Sequence, residues 1–220
     1  MFSSHSELEA ALLKCKQCKL CEDGNRGPTS FNGTPDSPFV IVGEGPGGVE
    51  DEYGVPLVGP SGQLLDKALW SVAVTRDKIY TSNILKCRPK GNRTPTPKEG
   101  SFCANLWLDE ELRLIKPQVI VALGSVALHY FGGEDKKITR ERGNWFQTTT
   151  GIWVIATFHP AYLLRLTGKR LIEAKWQVYY DFKAAVEKCL DLSPGSKLNS
   201  ESMPDLLNLY TARKSERLKR

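Results

Sequence analysis

Cysteine is the residue type whose spacing in this sequence most strongly indicates chemistry. The chain has six cysteines: Cys15, Cys18, Cys21, Cys87, Cys103 and Cys189. Cys15 and Cys18 form a C-x-x-C pair typical of metal sites, and Cys87 and Cys103 each fall where a loop could return to that pair. Four thiolates suit either a tetrahedral zinc or an iron–sulfur cluster, so spacing alone leaves zinc, iron–sulfur and free thiols open. Cys21 stays ambiguous, whereas Cys189, on the apolar face of a predicted helix, is expected to be a small buried hydrophobe.

A glycine-rich segment, Gly43–Gly48, formally matches the G-x-G-x-x-G pattern of dinucleotide-binding loops. Its context argues against that use. A long loop with two prolines is predicted to follow in place of the required helix, and Pro46 removes a backbone N–H that a phosphate would need. Three nearby carboxylates, Glu50, Asp51 and Glu52, would also repel a pyrophosphate. The segment instead predicts a close approach of the backbone to a flat, neutral ligand.

Four apolar segments predict strands that are buried on both faces of a sheet. They are Pro38–Val42, Lys78–Ile84, Gln118–Leu123 and Ile152–Phe158. Helical patterns alternate with them over Ser61–Ser71, Pro97–Ile115, Ser125–Phe131 and Ala174–Leu190. This alternation predicts an α/β fold, a three-layer α/β/α sandwich around a central, mostly parallel four-stranded sheet. Ligands bind beyond the carboxyl ends of such strands, so the residues found there are expected to meet at one edge: Gly43, Asn83, Gly124 and His159.

The composition is that of an ordinary globular protein. The length of 220 residues suits one domain with short extensions, and 40 % hydrophobic with 25 % charged residues excludes wholesale disorder. We predict a domain over residues 1–192 and a flexible basic extension over residues 193–220. Residues 213–220 hold five basic residues and one acid, so most of the formal net charge of +5 belongs to this end. No apolar run approaches the roughly 20 residues that span a bilayer, and no signal peptide is recognised, so we expect a soluble, cytoplasmic protein.

The residues of the predicted sheet edge occur in three longer motifs. These motifs closely resemble those of the family 4 uracil-DNA glycosylases. The first motif of that family corresponds to Gly43–Gly47 together with the run from Glu50 to Leu65. Its uracil-recognition segment corresponds to Thr81–Pro95, and its second motif corresponds to His159–Arg165. The resemblance covers about residues 8–190. It implies the uracil-DNA glycosylase fold. It also implies a [4Fe–4S] cluster in place of zinc, because the family's four ligands correspond to Cys15, Cys18, Cys87 and Cys103.

Such a glycosylase flips uracil out of DNA, hydrolyses the bond between its N1 and deoxyribose C1′, and leaves an abasic site for base-excision repair. The resemblance implies that Asn83 reads the uracil edge, because a side-chain amide can donate to O4 and accept from N3–H. It further implies that His159 donates to O2 as negative charge develops there, and that Glu50 is the carboxylate beside the sugar. The residues expected to line the uracil pocket are Glu44, Gly45, Pro46, Leu57, Asn83 and His159. Leu57 departs from the family, which usually has a phenylalanine stacked on the flipped base.

The segment from His159 to Arg165 is the expected DNA-facing loop. Leu163 or Leu164 would fill the gap left by the flipped base, and Arg165 would contact a phosphate. The residues expected along the phosphate track are Arg88, Lys90, Arg93, Lys169 and Arg170. The resemblance implies a monomer that acts on uracil-containing DNA, single- or double-stranded, with no membrane partner and a nucleoid-associated location in the cytoplasm.

Three other functions stay open at this point. A glycosylase for deaminated purines would exploit the smaller side chain of Leu57. A uracil-DNA binding protein without turnover is expected to carry a reactive histidine after the recognition strand, and residues 86–97 contain none. A non-catalytic iron–sulfur module that binds nucleic acid is the third alternative.

Overall fold

The predicted strands form the centre of a six-stranded sheet in the computed structural model, which describes residues 1–199. The strands are β1 (Asn32–Gly33), β2 (Phe39–Gly43), β3 (Tyr80–Asn83), β4 (Val119–Leu123), β5 (Trp145–Gln147) and β6 (Trp153–Thr157). Their order across the sheet is β1-β3-β2-β4-β6-β5, and the four central strands run parallel. Continuous Val/Ile runs suit these central positions because both faces of the strands are covered. The prediction of a mostly parallel sheet is confirmed.

Helices cover both faces of the sheet. They are α1 (His5–Leu12), α2 (Gly48–Tyr53), α3 (Pro60–Trp70), α4 (Pro97–Cys103), α5 (Asp109–Ile115), α6 (Gly124–Gly132), α7 (Ile138–Glu141), α8 (Pro160–Leu163) and α9 (Gly168–Leu192). Alternate strand residues point to opposite layers. Ile41 and Val121 pack in a core with residues of α3 and α9, whereas Val42 and Ala122 pack with residues of α5 and α6. The predicted α/β/α sandwich is therefore confirmed.

Two features of the sheet and its helices differ from the sequence prediction. The sheet has six strands rather than four, because the short β1 and β5 pair antiparallel with β3 and β6 at its two edges. The helix predicted over Pro97–Ile115 is present but is not uniform, since α4 and α5 are joined by a π-helical stretch, Ala104–Leu108. Both differences leave the positions of the central strands unchanged.

The prediction that a loop follows the glycine-rich segment is wrong for the first residues of that loop, because α2 begins at Gly48. The side chain of Glu50 accepts a hydrogen bond from the Gly47 N–H at 3.1 Å, which satisfies one of the donors left free at the start of a helix. The absence of a helix therefore no longer argues against a dinucleotide loop. Pro46 and the carboxylates of Glu50 and Asp51 still do.

The end of the described chain returns to the domain. Leu198 is buried in the core shared by α3 and α9, and Asn199 forms a β-bridge with Val74. Leu198 and Asn199, which belong to the predicted extension, thus contact the domain, while residues 200–220, which include the basic stretch 213–220, lie outside the described residues. Within residues 1–199 no helix is both long and apolar enough to cross a membrane.

Candidate functional site

The carboxyl edge of the sheet brings together the four residues that sequence analysis assigned to it. Gly43 and Asn83 are register partners at the ends of β2 and β3. Gly124 and His159 follow β4 and β6, and a methyl group on Gly124 would lie only 2.9 Å from the His159 Cβ. A Cβ on Gly43 would collide with the Asn83 Oδ1. Small residues at both positions therefore leave room for the Asn83 and His159 side chains.

The side chain of Asn83 is buried without a protein partner. Only 2 % of the residue is exposed, and neither Oδ1 nor Nδ2 has a hydrogen-bond partner among residues 1–199. An unpaired buried polar group destabilises a fold by about 1–3 kcal/mol, so native proteins rarely leave one without a use. An adjacent donor and acceptor in this position fit a planar ligand that presents the complementary pair.

The imidazole of His159 is held in one tautomer. It caps α8, where its Nδ1 accepts a hydrogen bond from the Ala161 N–H at 3.1 Å. The proton of the neutral ring must then reside on Nε2, which is left as a donor. Burial, assisted by the positive charge of Arg165, lowers the pKa of His159 to about 4. At neutral pH the ring is therefore an uncharged hydrogen-bond donor.

Glu50 is a buried carboxylate whose two oxygens both accept hydrogen bonds from the backbone. Its Oε2 accepts from the Gly47 N–H, and its Oε1 accepts from the N–H groups of Val58 at 3.0 Å and Gly59 at 2.7 Å. The carboxylate thus ties the start of α2 to the segment before α3. Charge-assisted bonds of this kind are strong and fix both segments around the pocket.

Glu44 lies at the same edge but in a different environment. It is half-buried, and burial raises the pKa of its carboxyl group while the nearby Arg165 opposes that rise. Its carboxylate forms no hydrogen bond to the protein within residues 1–199. Glu44 is therefore a carboxylate that a ligand or a water can reach.

The walls of the pocket come from the loop between β2 and α3. Leu57 is buried, has a φ of 54°, and places its Cδ1 3.6 Å from the point where a Cβ on Gly43 would be. The left-handed region is uncommon for leucine and is found mostly where the surroundings enforce it, often at functional sites. Gly45 approaches Leu85 closely, and Pro46 is buried. The loop therefore packs an apolar side chain against the Gly43–Asn83 step.

The structure separates the two leucines that were predicted to contact DNA. Leu163 is 4 % exposed and packs in the core with α3 and α9, whereas Leu164 is 52 % exposed. Successive residues of a helical turn point in different directions, and Leu163 and Leu164 are adjacent at the end of α8. Leu163 is therefore a core residue in this structure, and the DNA contact of Leu164 and Arg165 stays a prediction.

The cysteines of the N-terminal region meet the two later ones. Cys15, Cys18, Cys21, Cys87 and Cys103 all line one small cavity. Burial, together with the proximity of the other thiols, raises the pKa of Cys87, and burial raises the pKa of Cys103 to about 11. Among residues 1–199 no group of three or more His, Cys, Asp or Glu side chains is arranged to hold a metal ion. The fifth cysteine, Cys21, donates its S–H to the Cys18 carbonyl at 2.9 Å.

A buried ion pair that sequence analysis did not predict links this cavity to Asn83. The Lys86 Nζ lies 2.7 Å from Glu111 Oε1, and the Ser82 hydroxyl donates to Glu111 Oε2 at 2.7 Å. The Lys86 N–H also donates to the Cys103 Sγ at 3.4 Å. Ser82 and Lys86 flank Asn83 along the chain. The network therefore connects β3, which ends at Asn83, both to α5 and to Cys103. Lys86 and Glu111 belong to distant segments, and no local pattern pairs them.

We predict that Glu111→Ala lowers the free energy of unfolding by about 3–5 kcal/mol, because the Lys86 ammonium is then buried without a counter-charge. Equilibrium denaturation in urea measures this change. The neighbouring Glu110→Ala removes an exposed pair with Arg113 and should shift the midpoint little. Adding Lys86→Met to Glu111→Ala should restore much of the lost stability, and a double variant no more stable than the single one would contradict the explanation.

Comparison with known proteins gives consistent matches over most of the chain. A family model for the Uracil DNA glycosylase superfamily matches residues 31–183. The chain is 40 % identical over 180 residues to a type-4 uracil-DNA glycosylase of Thermotoga maritima, and the alignment covers 78 % of this chain and 90 % of that protein. It is 35 % identical over 171 residues to a type-4 uracil-DNA glycosylase of Archaeoglobus fulgidus, covering 73 % and 83 %. A type-5 uracil-DNA glycosylase of Pyrobaculum aerophilum matches a shorter stretch of 104 residues at 32 % identity, covering 46 % and 44 %. The span of the family match includes Asn83 and His159.

Proposed function

The chain belongs to the uracil-DNA glycosylase superfamily, and from this premise we propose that it acts as a type-4 uracil-DNA glycosylase in base-excision repair. The observation that carries the proposal is the buried amide of Asn83, which has no hydrogen-bond partner within residues 1–199. Its donor and acceptor complement the O4 and N3–H atoms of uracil, a pairing that cytosine reverses. The substrate is uracil-containing DNA, and the products are free uracil and an abasic site.

The uracil must leave the base stack to reach Asn83, because a paired base hides the edge that Asn83 reads. Leu164 is an exposed apolar residue of the segment that follows His159, and it fills the space that the base vacates. Arg165 contacts the adjacent phosphate. The flipped uracil then lies against Leu57 with its edge on Asn83.

Bond cleavage places negative charge on the departing uracil, mainly on O2. The His159 Nε2–H donates a hydrogen bond to this oxygen and stabilises the charge as it develops. A single preorganised donor of this kind contributes about 3–4 kcal/mol to lowering the barrier. The neutral ring suffices, since its Nδ1 is already occupied by the Ala161 N–H.

The two carboxylates of the loop have different tasks. The negative charge of Glu50 stabilises the positively charged sugar of an oxocarbenium-like transition state, and its hydrogen bonds to Gly47, Val58 and Gly59 hold it in position. The carboxylate of Glu44 accepts no hydrogen bond within residues 1–199, so it is the group available to orient the attacking water. Its raised pKa makes it a better proton acceptor than an ordinary glutamate.

The cofactor that fits the cysteine set is a [4Fe–4S] cluster held by Cys15, Cys18, Cys87 and Cys103. These thiols line one cavity, and an all-thiolate ligand set suits iron–sulfur ligation. When bound, such a cluster supplies a covalent link between the N-terminal region, the segment after β3 and α4. Because Cys87 is four residues beyond Asn83, ligation restrains the segment that reads the base.

Alanine in place of any one of the four ligands should remove iron and lower the yield of soluble protein, because each change deletes one thiolate. The four variants are Cys15→Ala, Cys18→Ala, Cys87→Ala and Cys103→Ala. Iron content per chain and the broad absorbance at about 400 nm typical of iron–sulfur proteins measure this loss. Cys21→Ala and Cys189→Ala should keep both signals. Cys21 is the sharper control because it lines the same cavity. A colourless wild type with one zinc per chain would overturn the assignment.

Leu57→Phe should raise the efficiency of uracil excision by up to about tenfold. An aromatic ring stacked on a base contributes about 1–3 kcal/mol, of which leucine provides only the apolar contact, and 1.4 kcal/mol corresponds to a factor of ten. Excision of uracil, hypoxanthine, xanthine and thymine opposite guanine by both proteins measures the effect. A wild type that prefers a purine, with a Leu57→Phe variant that loses this preference without gaining on uracil, would replace the proposed function with a deaminated-purine glycosylase.

The proposed function is tested by incubating the purified protein with a uracil-containing oligonucleotide and then cleaving abasic sites with alkali. We expect strand cleavage at the uracil and none at cytosine in the matched strand. Retention of intact DNA in a stable complex would indicate the binding protein without turnover. Single- and double-stranded substrates, together with the mass of the active species in solution, test the strand preference and the proposed monomer. A cytoplasmic location stays a prediction.

A further inference from the structure

An open apolar groove lies between α3 and α9, away from Asn83. Its walls are formed by Leu64, Leu65, Lys67, Ala68 and Ser71 on one side and by Ile172, Lys175, Trp176, Val178, Tyr179 and Phe182 on the other. Phe158, Pro160 and Leu163 close one end, which is the end nearest the carboxyl edge of the sheet. Ser71 marks the opposite end.

The groove keeps large apolar side chains in contact with solvent. Ile172 is 59 % exposed and Trp176 is 56 % exposed, although both belong to a helix whose other face forms the core. Contiguous exposed apolar surface on a soluble domain usually marks a binding site. One face of α9 thus presents a continuous hydrophobic surface rather than scattered apolar residues.

The described chain ends beside this groove. Leu198 is buried among core residues of α3 and α9, and Asn199 pairs with Val74, four residues beyond the end of α3. The remaining 21 residues of the sequence therefore start near the Ser71 end of the groove. Residues 200–205 can span about 20 Å when extended, more than the roughly 10 Å that separates Ser71 from Leu64 along α3.

The sequence beyond residue 199 carries a matching apolar face. Met203, Leu206, Leu207 and Tyr210 follow the spacing i, i+3, i+4, i+7, which is typical of one face of an amphipathic helix. Asn208 falls on the opposite face of the same pattern. We propose that residues 203–210 of this chain dock through these apolar side chains in the groove between α3 and α9.

The charges of the groove suit this segment. The groove carries Lys67 and Lys175, which favour a segment that has Asp205 and no basic residue up to position 212. The basic stretch 213–220 then leaves the groove at the end formed by Pro160 and Leu163, beside the edge that holds His159. This last step rests on the proposed function, because it brings five basic residues to the DNA-facing side.

A photo-crosslinker tests the docking in the full-length protein without reference to DNA. With p-benzoylphenylalanine in place of Tyr210, irradiation should give crosslinks within one chain to peptides from α3 or α9. Crosslinks between two chains would show that a second copy occupies the groove, and absence of crosslinks to α3 and α9 would show that the segment does not dock. Either result overturns the proposal, whether or not the protein excises uracil.

Two matched pairs of variants make the test specific. Leu207→Glu should reduce the crosslinking yield at least fivefold, while Asn208→Glu introduces the same charge one residue later on the opposite face and should leave the yield unchanged. On the groove side, Ile172→Glu should reduce the yield. Gln177→Glu should not, since Gln177 is also exposed on α9 but does not line the groove. Equal effects of the two members of either pair would contradict the proposal.

Discussion

Asn83→Asp should lower single-turnover excision of uracil by roughly 10⁴-fold, because a site built to hydrogen-bond its ligand discriminates on that scale when the bonding pattern is changed. The new side chain has almost the same shape, so the loss reports hydrogen bonding rather than packing. An ionised aspartate presents only acceptors and repels uracil O4. The same acceptor oxygens can accept a hydrogen bond from the amino group of cytosine, which stands where uracil has O4.

The same variant should therefore excise cytosine faster than the wild type does, while it excises uracil more slowly. Single-turnover rates on matched oligonucleotides with uracil or cytosine at one position measure both effects. Asn144→Asp makes the same chemical change at an exposed asparagine whose side chain bonds the Arg140 carbonyl, and it should leave both rates unchanged. If Asn83→Asp kept the wild-type rate on uracil, the assigned reading of the base edge would be wrong.

Replacing His159 should lower the chemical step by about 10²–10³-fold, the loss expected when one donor to a developing oxyanion is removed. His159→Asn is the more informative change than His159→Ala, because asparagine can still cap α8 through the Ala161 N–H. Binding of the uracil-containing DNA should be largely kept in both variants. His129→Ala removes a histidine that bonds the Lys136 carbonyl elsewhere and serves as the control.

The pH dependence follows from the pKa of His159, which burial lowers to about 4. The neutral donor is then present at all pH values well above 4, so the wild-type single-turnover rate should show no inflection from this group between pH 5.5 and 8. The rate should fall as the ring is protonated near pH 4, since the Nδ1 bond to Ala161 is lost. An inflection near pH 6.5 that disappears in His159→Asn would show that the imidazolium is the reactive form.

Sequence reasoning was sufficient for the central sheet because its evidence is local. The Val/Ile runs of β2, β4 and β6 indicate burial directly. The residues at or just after the ends of the four central strands, Asn83 and His159 among them, indicate which edge of the sheet holds the site. The edge strands β1 and β5 were not predicted because two or three residues carry no recognisable periodicity. The helix α2 was missed because glycines open it and a side chain from within, Glu50, stabilises its start.

The finer parts of the site depend on non-local contacts. Nothing in the order of residues shows that Lys86 pairs with Glu111, because that contact forms only when α5 packs on the sheet. Leu163 and Leu164 have the same side chain and differ only in the direction set by a single helical turn. The ligand set of the cysteines came from the family resemblance, since their spacing alone left zinc and iron–sulfur open.

The π-helical stretch between α4 and α5 sets the rotational phase of two residues that Lys86 contacts. Cys103 and Glu111 are eight residues apart, and in a regular α-helix, at about 100° per residue, they would be about 80° out of phase. Each residue of a π-helical turn winds through a smaller angle, so the stretch Ala104–Leu108 cancels most of this difference. One lysine can therefore bond the Cys103 sulfur through its N–H and the Glu111 carboxylate through its ammonium. Deleting a single residue from this stretch would turn one of the two away from the sheet.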